Sequence, residues 1–394
     1  MRIFVLLSRV PYPIEKGDKL RAFHQLRCLS KKHEIILVAL NQGPVDEKAI
    51  LKLKEFCHQV HVIRFSYFRI AINLIRVLFT GKPFQVGYFY NRKARLKIRR
   101  ILAETRPQHI FCQLLRVAEY VRHVEIPKTI DYQDVFSMGM KRRAETSAWW
   151  LKPLMLMEYK RLLHYEKVIF NDFENKTIIS VPDRDLIPHP DKEQIVVVPN
   201  GVDHSYFKTL QRKKTHDIVF TGNMGYPPNV NAAEYLVSEI IPLVRRKVPG
   251  VSVMLAGANP HPRVQALSGD KIRVTGWVED MRESYASSRI FIAPMRIGTG
   301  LQNKLLEAMS MGLPCITSVL ANQALGAAEG SEILVGRSPE EFAGHIVRLL
   351  TDEDFALTVA SNGKAFVQRT YDWENSTLIL EKLICAVHVP RNEN

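Results

Sequence analysis

A lysine and a glutamate three residues apart, Lys304 and Glu307, follow two closely spaced glycines, Gly298 and Gly300, in the run from Ile292 to Thr317. Glycines let a backbone come close to a ligand, and the free N–H groups at the start of a helix attract an anion. Phosphate is the natural guest of such a loop. Lys304 would add a point charge, and Glu307, one turn on along the same face, would accept from the vicinal hydroxyls of a ribose. An ordinary crossover helix with a surface Lys–Glu pair has the same spacing, and a Gly-x-Gly alone does not choose between the two.

The elements that must position this loop can be read on either side of it. An apolar run ends at Pro294, and Leu301, Leu305 and Met309 then recur at helical spacing. Gly312 and Pro314 stop that helix, and Cys315-Ile316 reads as the next buried strand. The same alternation runs through the chain. Residues 2–8 form an apolar strand, Lys19–Ser30 a helix, and Glu34–Leu40 a strand continuous enough to be buried on both faces. Further strands are expected at 109–115, 128–134, 176–181, 194–198, 217–222, 251–257, 272–278, 289–294 and 333–335. Helices are expected at 67–80, from 136 to 172 with an interruption at Pro153, at 229–248, at 339–350 and 355–369, and as a last helix ending near Val387. A chain of 394 residues exceeds one ordinary core, so two domains of roughly 200 residues are the default. The βα alternation predicts α/β architecture with two Rossmann-like domains facing a cleft. In doubly wound sheets ligands sit at the carboxyl ends of strands, which singles out Gln113, Asp131 and Asp134. Asp134 could equally cap the helix that follows it.

Gly300-Leu301-Gln302 and the residues on to Pro314 resemble the donor-site segment of retaining glycosyltransferases of family four, also called group one. Most relatives carry an acidic residue where this chain has Thr299. A subset with Gly-x-Gly-x-x-x-Lys-x-x-Glu, including sugar transferases of exopolysaccharide and exosortase gene clusters, matches the spacing seen here. Pro11–His24 is similar to the first loop of that subset. The resemblance implies that Gly17 approaches the donor diphosphate and that Asp18, Lys19 and Arg21 contact phosphate or acceptor, with Gln113 and Asp134 also on the acceptor side. Val198-Pro-Asn-Gly-Val-Asp203 looks like the interdomain connection. It implies an acceptor domain over 1–204, a donor domain over 205–370 and a terminal helix, 371–394, returning to the first domain. By the same resemblance the Gly222–Asn223 turn faces the donor phosphates, and Gly276-Trp277-Val278 touches the nucleobase. The basic pair usual after that glycine is replaced by Asn223–Pro228, leaving Arg296, Lys304 and helix N–H groups to meet the diphosphate.

The implied reaction moves a sugar, with retention, from a nucleotide-diphosphate sugar to a glycan or lipid-linked acceptor in cell-surface polysaccharide synthesis. Lys304 and Glu307 are its central residues, and neither a cofactor nor a metal is expected. A net charge of +15 calls for an anionic partner. No zinc-finger spacing or RNA-recognition signature appears, so nucleic acid is not expected, and anionic lipid or a diphosphate substrate accounts for the charge as well. Helix 67–80, carrying two arginines, and the basic Asn91–Arg100 have the composition of an interfacial segment; a core helix beside a solvated one has it too. Trp149 and Trp150, beside Lys141–Arg143, would shape an acceptor site, rest on a membrane or pack on the sheet. No apolar run is long enough to span a bilayer. Five scattered cysteines without metal spacing suggest a reducing compartment, hence a cytoplasmic protein with room for contact at the inner membrane face. The competing readings are a basic membrane- or nucleic-acid-binding protein on a transferase frame, and a nucleotide-sugar epimerase or a phosphorylase.

Overall fold

A computed structural model describes residues 1–14, 17–65, 67–298 and 300–387. They divide into two compact units, one of Met1–Pro199 together with the chain from Trp373 onward, the other of Asn200–Asp372.

In the first unit the strands are β1 (Arg2–Leu7), β2 (Glu34–Gln42), β3 (Gln59–Phe65), β4 (His109–Gln113), β5 (Lys128–Asp131), β6 (Asn175–Ile178) and β7 (Val196–Val197). They form one seven-stranded sheet in the order β3-β2-β1-β4-β5-β6-β7. Every pairing in it is parallel. Alternate residues of β1 serve opposite faces: Phe4 and Leu6 enter one core cluster, Ile3 and Val5 the other. β2 divides in the same way, with Ile36, Val38 and Leu40 on one face and Ile35, Leu37 and Ala39 on the other. Helices cover both faces, which is why these strands are apolar without a break.

Elements here without a counterpart in the sequence expectation include β3 and the helices Glu47–Lys54 and Phe84–Phe89. β3 is an edge strand whose first four residues are only half-buried, and His61 and Arg64 dilute its apolar pattern. The long helical stretch from 136 is two helices, Phe136–Thr146 and Lys152–Phe170. The break falls before Pro153, which occupies the first turn of the second helix, where its missing N–H costs nothing.

The terminal helix Trp373–Ala386 belongs to this first unit. Trp373 stacks on His24 with ring centroids 4.8 Å apart, and Leu380 and Ile384 are fully buried in the cluster beneath the helix Gly17–Leu29. Asn175 Nδ2 donates to the Leu383 carbonyl at 2.9 Å, and Lys32 pairs with Glu381 at 3.1 Å.

The second unit contains β8 (His216–Thr221), β9 (Val253–Ala256), β10 (Ile272–Val274), β11 (Ser288–Ala293), β12 (Cys315–Ser318) and β13 (Leu334–Gly336). They form a six-stranded parallel sheet in the order β10-β9-β8-β11-β12-β13. The two ends of the unit meet where Val202 N–H donates to the Tyr371 carbonyl at 2.9 Å. Expected as one helix, residues 229–248 instead run as Pro227–Tyr235, a wider π-type stretch at Leu236–Ile240, and Ile241–Arg245. In each sheet the strand order reverses at one place, between β1 and β4 and between β8 and β11. The carboxyl ends of those strands frame the crevice in which doubly wound sheets bind ligands.

Candidate functional site

The crevice of the second unit is lined by glycines because three strand ends come unusually close. Gly222 follows β8 with φ +151°, Gly257 follows β9 with φ +143°, and Gly276 lies just beyond β10 with φ +71°. Gly222 N–H donates to the Ala256 carbonyl at 3.0 Å, and Gly257 N–H to the Gly276 carbonyl at 3.1 Å. A Cβ on Gly257 would stand 1.8 Å from the Gly222 carbonyl oxygen, which is possible for no other residue.

Lys304 reaches this crevice from the helix Asn303–Ser310. Its Nζ donates to Asn229 Oδ1 at 2.5 Å and lies 4.8 Å from the centre of the Phe220 ring. A Cβ on Gly222 would meet the same ammonium at 3.2 Å. Asn229 in turn donates through Nδ2 to the Asn223 carbonyl at 2.9 Å, joining the ammonium to the turn after β8. Burial lowers the Lys304 pKa to about 7, against the pull of Glu307.

Glu307 stands one turn further along. Its Oε2 accepts from the Tyr285 hydroxyl at 2.7 Å, and that hydroxyl lies 2.9 Å from Thr221 Oγ1. Burial raises the Glu307 pKa to about 7, opposed by the Tyr285 hydrogen bond and by Lys304. Each side chain keeps a half-buried edge open to solvent. The crevice thus presents a cation and a carboxylate whose remaining lone pairs are free for hydroxyl groups.

The surrounding positions are as follows. Gly298, with φ +101°, and Gly300 are half-buried in the loop before the helix, and Thr299 lies outside the described residues. Leu301 packs against the core and so anchors the loop. Gln302 occupies the N-cap without bonding the helix amides; its Nε2 donates to the Gly300 carbonyl at 2.9 Å. Asn223 is exposed and bonds Gly225 N–H at 3.0 Å. Trp277 is exposed at the rim, whereas Val278 packs against the core. Arg296 is engaged by Glu239 and Asn231, both at 3.2 Å, and lies over the Tyr235 ring. Its guanidinium is therefore engaged by side chains of the stretch Asn231–Glu239.

In the first unit one expectation needs correction. Arg21 and Asp131 do not line a binding surface: both side chains are fully buried and paired with each other. Arg21 Nε donates to Asp131 Oδ2 at 2.7 Å, Nη2 to Oδ1 at 3.1 Å, and Nη1 to the Val198 carbonyl at 2.8 Å. Thr177 Oγ1 adds a 3.0 Å bond to the same carboxylate. The pair ties the first helix to β5 and the end of β7, and burial of so long a side chain required a carboxylate on the strand opposite. Gly17 opens the helix Gly17–Leu29 and is exposed. Asp18 is paired with Arg9 at 3.1 Å, and Gln113 Nε2 reaches the Asp18 carbonyl at 3.4 Å. Lys19 lines a cavity at the carboxyl ends of β1 and β2. Asp134 keeps an exposed edge while protein crowds its carboxyl; that crowding, with Asp183, raises its pKa to about 6.

Asn229 and Tyr285 escaped the sequence reading as site residues. The Pro227-Pro228-Asn229 helix start was a usable signal for the first. Tyr285 had none, since only the folded chain brings the Met281–Ala286 helix against Glu307. Among the described residues no group of three His, Cys, Asp or Glu is placed to hold a metal ion.

Residues 215–352, within the second unit, match the family model for glycosyl transferases group 1. A protein from the cps region of Klebsiella pneumoniae is 22% identical over 392 residues, spanning 94% of this chain and 96% of that one. Sucrose-phosphate synthase from Thermosynechococcus elongatus has a similar structure, with TM-score 0.72 and 15% identity over 98% of this chain and 99% of that one. The Anabaena protein Alr3699/HepE in complex with UDP gives TM-score 0.71 and 14% identity over 98% and 100% of the two chains. Two parallel sheets with paired switch points define the GT-B class of fold. The chain has a fold of that class, and its second unit carries a domain of the glycosyl transferases group 1 family over residues 215–352.

Proposed function

We propose that this enzyme transfers a sugar, with retention, from a nucleotide-diphosphate sugar to a glycan or lipid-linked acceptor of a cell-surface polysaccharide. The observation that carries this reading is the Lys304–Glu307 pair set in the glycine-lined crevice of the second unit. The diphosphate lies against the backbone at Gly222 and Gly300–Gln302, where a helix N-terminus without a side-chain cap offers N–H groups. Lys304 neutralises the charge that develops on the departing diphosphate, in place of a divalent cation. Glu307, steadied by Tyr285, accepts from the ribose hydroxyls, and the exposed Trp277 stands where a nucleobase would lie. The cps-region relative supports the polysaccharide setting.

Thermal stabilisation by UDP, GDP, ADP and their common sugar conjugates tests the donor assignment. One nucleotide at a hundred times its dissociation constant is expected to add about 2.7 kcal/mol, and Glu307→Ala to lose most of that shift. No shift with any of them would remove the donor site.

The enzyme works as a peripheral protein on the inner face of the plasma membrane. Ile75, Leu78 and Phe79 are exposed on the helix Tyr67–Thr80 around Arg76, and Trp149 and Trp150 are exposed on the same unit. No helix of the described residues is long and apolar enough to cross a membrane. Sedimentation with vesicles containing a third phosphatidylglycerol is expected to exceed that with pure phosphatidylcholine, and Phe79→Ser to reduce it; equal partition into both would refute the contact.

A further inference from the structure

The first unit holds a cavity of about 570 Å³ at the carboxyl ends of β1 and β2, beside the place where its strand order reverses. That volume suits one or two sugar rings, falling within the roughly 300–1,000 Å³ of small-molecule sites. Its wall is cationic and aromatic. Arg9, Lys19 and Arg116 line it with Phe84, Tyr88 and Phe89, and no acidic side chain is among its described lining residues.

Arg116 is the informative member. It follows β4, is half-buried, and its Nε and Nη2 donate to Gln85 Oε1 at 3.3 and 3.1 Å. Its guanidinium lies 4.7 Å from the Phe136 ring centre and 5.6 Å from that of Phe89. Among the described residues no carboxylate is within ion-pair distance of it, whereas Arg9 has Asp18. Burial, and next the charge of Arg9, lower its pKa, against the pull of Asp18 and Asp134. A half-buried guanidinium held by one amide oxygen and two ring faces retains donors for an anion that the described residues do not supply. The frame around it is firm: Glu158 accepts from Phe84 N–H at 2.7 Å and Gln85 N–H at 3.1 Å, and Gln42 bonds the Tyr88 hydroxyl.

We propose that this cavity seats the acceptor and selects an acidic saccharide, with its carboxylate or phosphate on Arg116 and Lys19 and its ring against Tyr88 and Phe89. The assignment rests on the transferase reading for its role in the reaction, but the anion preference can be measured without any donor. Arginine meets an oxyanion with two parallel bonds, and the aromatic faces take the apolar side of the ring.

Calorimetric titration of the full chain with methyl β-D-glucuronide, glucose 1-phosphate and methyl β-D-glucoside tests it. One acidic sugar is expected to bind at least about tenfold more tightly than the neutral glucoside, a gap one charge-assisted contact supplies. A preference for the glucuronide assigns a carboxylate, and one for the phosphate ester a phosphate; either supports the inference. Arg116→Gln is expected to erase the preference and Arg116→Lys to retain part of it. Lys19→Gln gives a second reading should the first variant unfold. Equal affinity for all three sugars would overturn the assignment, as would displacement of the acidic sugar by UDP, which would give the anion site to the donor. Failure of every nucleotide to bind would instead remove the transferase reading and leave the sugar preference standing.

Discussion

Replacing Lys304 by alanine is expected to slow sugar transfer about 10²- to 10³-fold, ~2.7 to 4 kcal/mol in the barrier, with a smaller change in the affinity for donor. The reason is the placement of the ammonium. It is fixed by Asn229 at 2.5 Å and stands against the bare backbone of Gly222, where a leaving diphosphate would gather charge. Burial lowers its pKa to about 7, so in the empty site near neutral pH part of the population is uncharged. An arriving diphosphate favours the charged form. Between about pH 7 and the ordinary lysine pKa, nucleotide binding should therefore take up a proton, and affinity should weaken as pH rises through that range. Calorimetry in two buffers of different ionisation enthalpy reads the uptake directly. Stability has the opposite slope: the unfolded chain keeps this lysine protonated to higher pH, so its contribution to stability rises with pH across the same window. Turnover of Lys304→Ala within threefold of the native enzyme, with proton uptake unchanged, would assign the neutralising charge to another group.

The second large effect is on stability, not chemistry. Arg21→Met is expected to cost about 3 to 5 kcal/mol, because it leaves the Asp131 carboxylate buried beside Thr177 without its counter-charge. Joining it to Asp131→Leu should recover much of the loss, since two apolar groups of similar volume fill the space without a stranded charge. Urea unfolding of the single and double variants measures both. If Arg21 touched substrate instead, the single variant would lose activity while its stability stayed within about 0.5 kcal/mol of the native chain. That outcome would contradict the buried pair.

Both predictions turn on contacts between residues far apart in the chain. Lys304 and Asn229 are 75 positions apart, and Arg21 and Asp131 are 110 apart. The glycine loop before Lys304 was legible without them. Gly298 and Gly300, the helical spacing of Leu301, Leu305 and Met309, and the stop at Gly312 are local features, and the helix Asn303–Ser310 and strand β12 lie where they point. The same is true of β1 and β2, whose unbroken apolar runs mean burial on both faces wherever they occur.

The amino-acid sequence by itself determined the α/β alternation, the doubling of the sheet architecture and the glycine turn and helix around Lys304, because periodicity, helix stops and glycine turns act within a few residues. Only the tertiary structure decided what those groups meet. It set Tyr285 under Glu307 and placed Arg116 in a cavity with no carboxylate of the described residues within ion-pair distance. It also closed Arg21 into the core, where a helix-start arginine had looked free to reach a ligand. The physical reason is that burial and charge pairing depend on which strand ends lie side by side, and in a parallel sheet neighbouring strands are joined by long crossovers that no local pattern records.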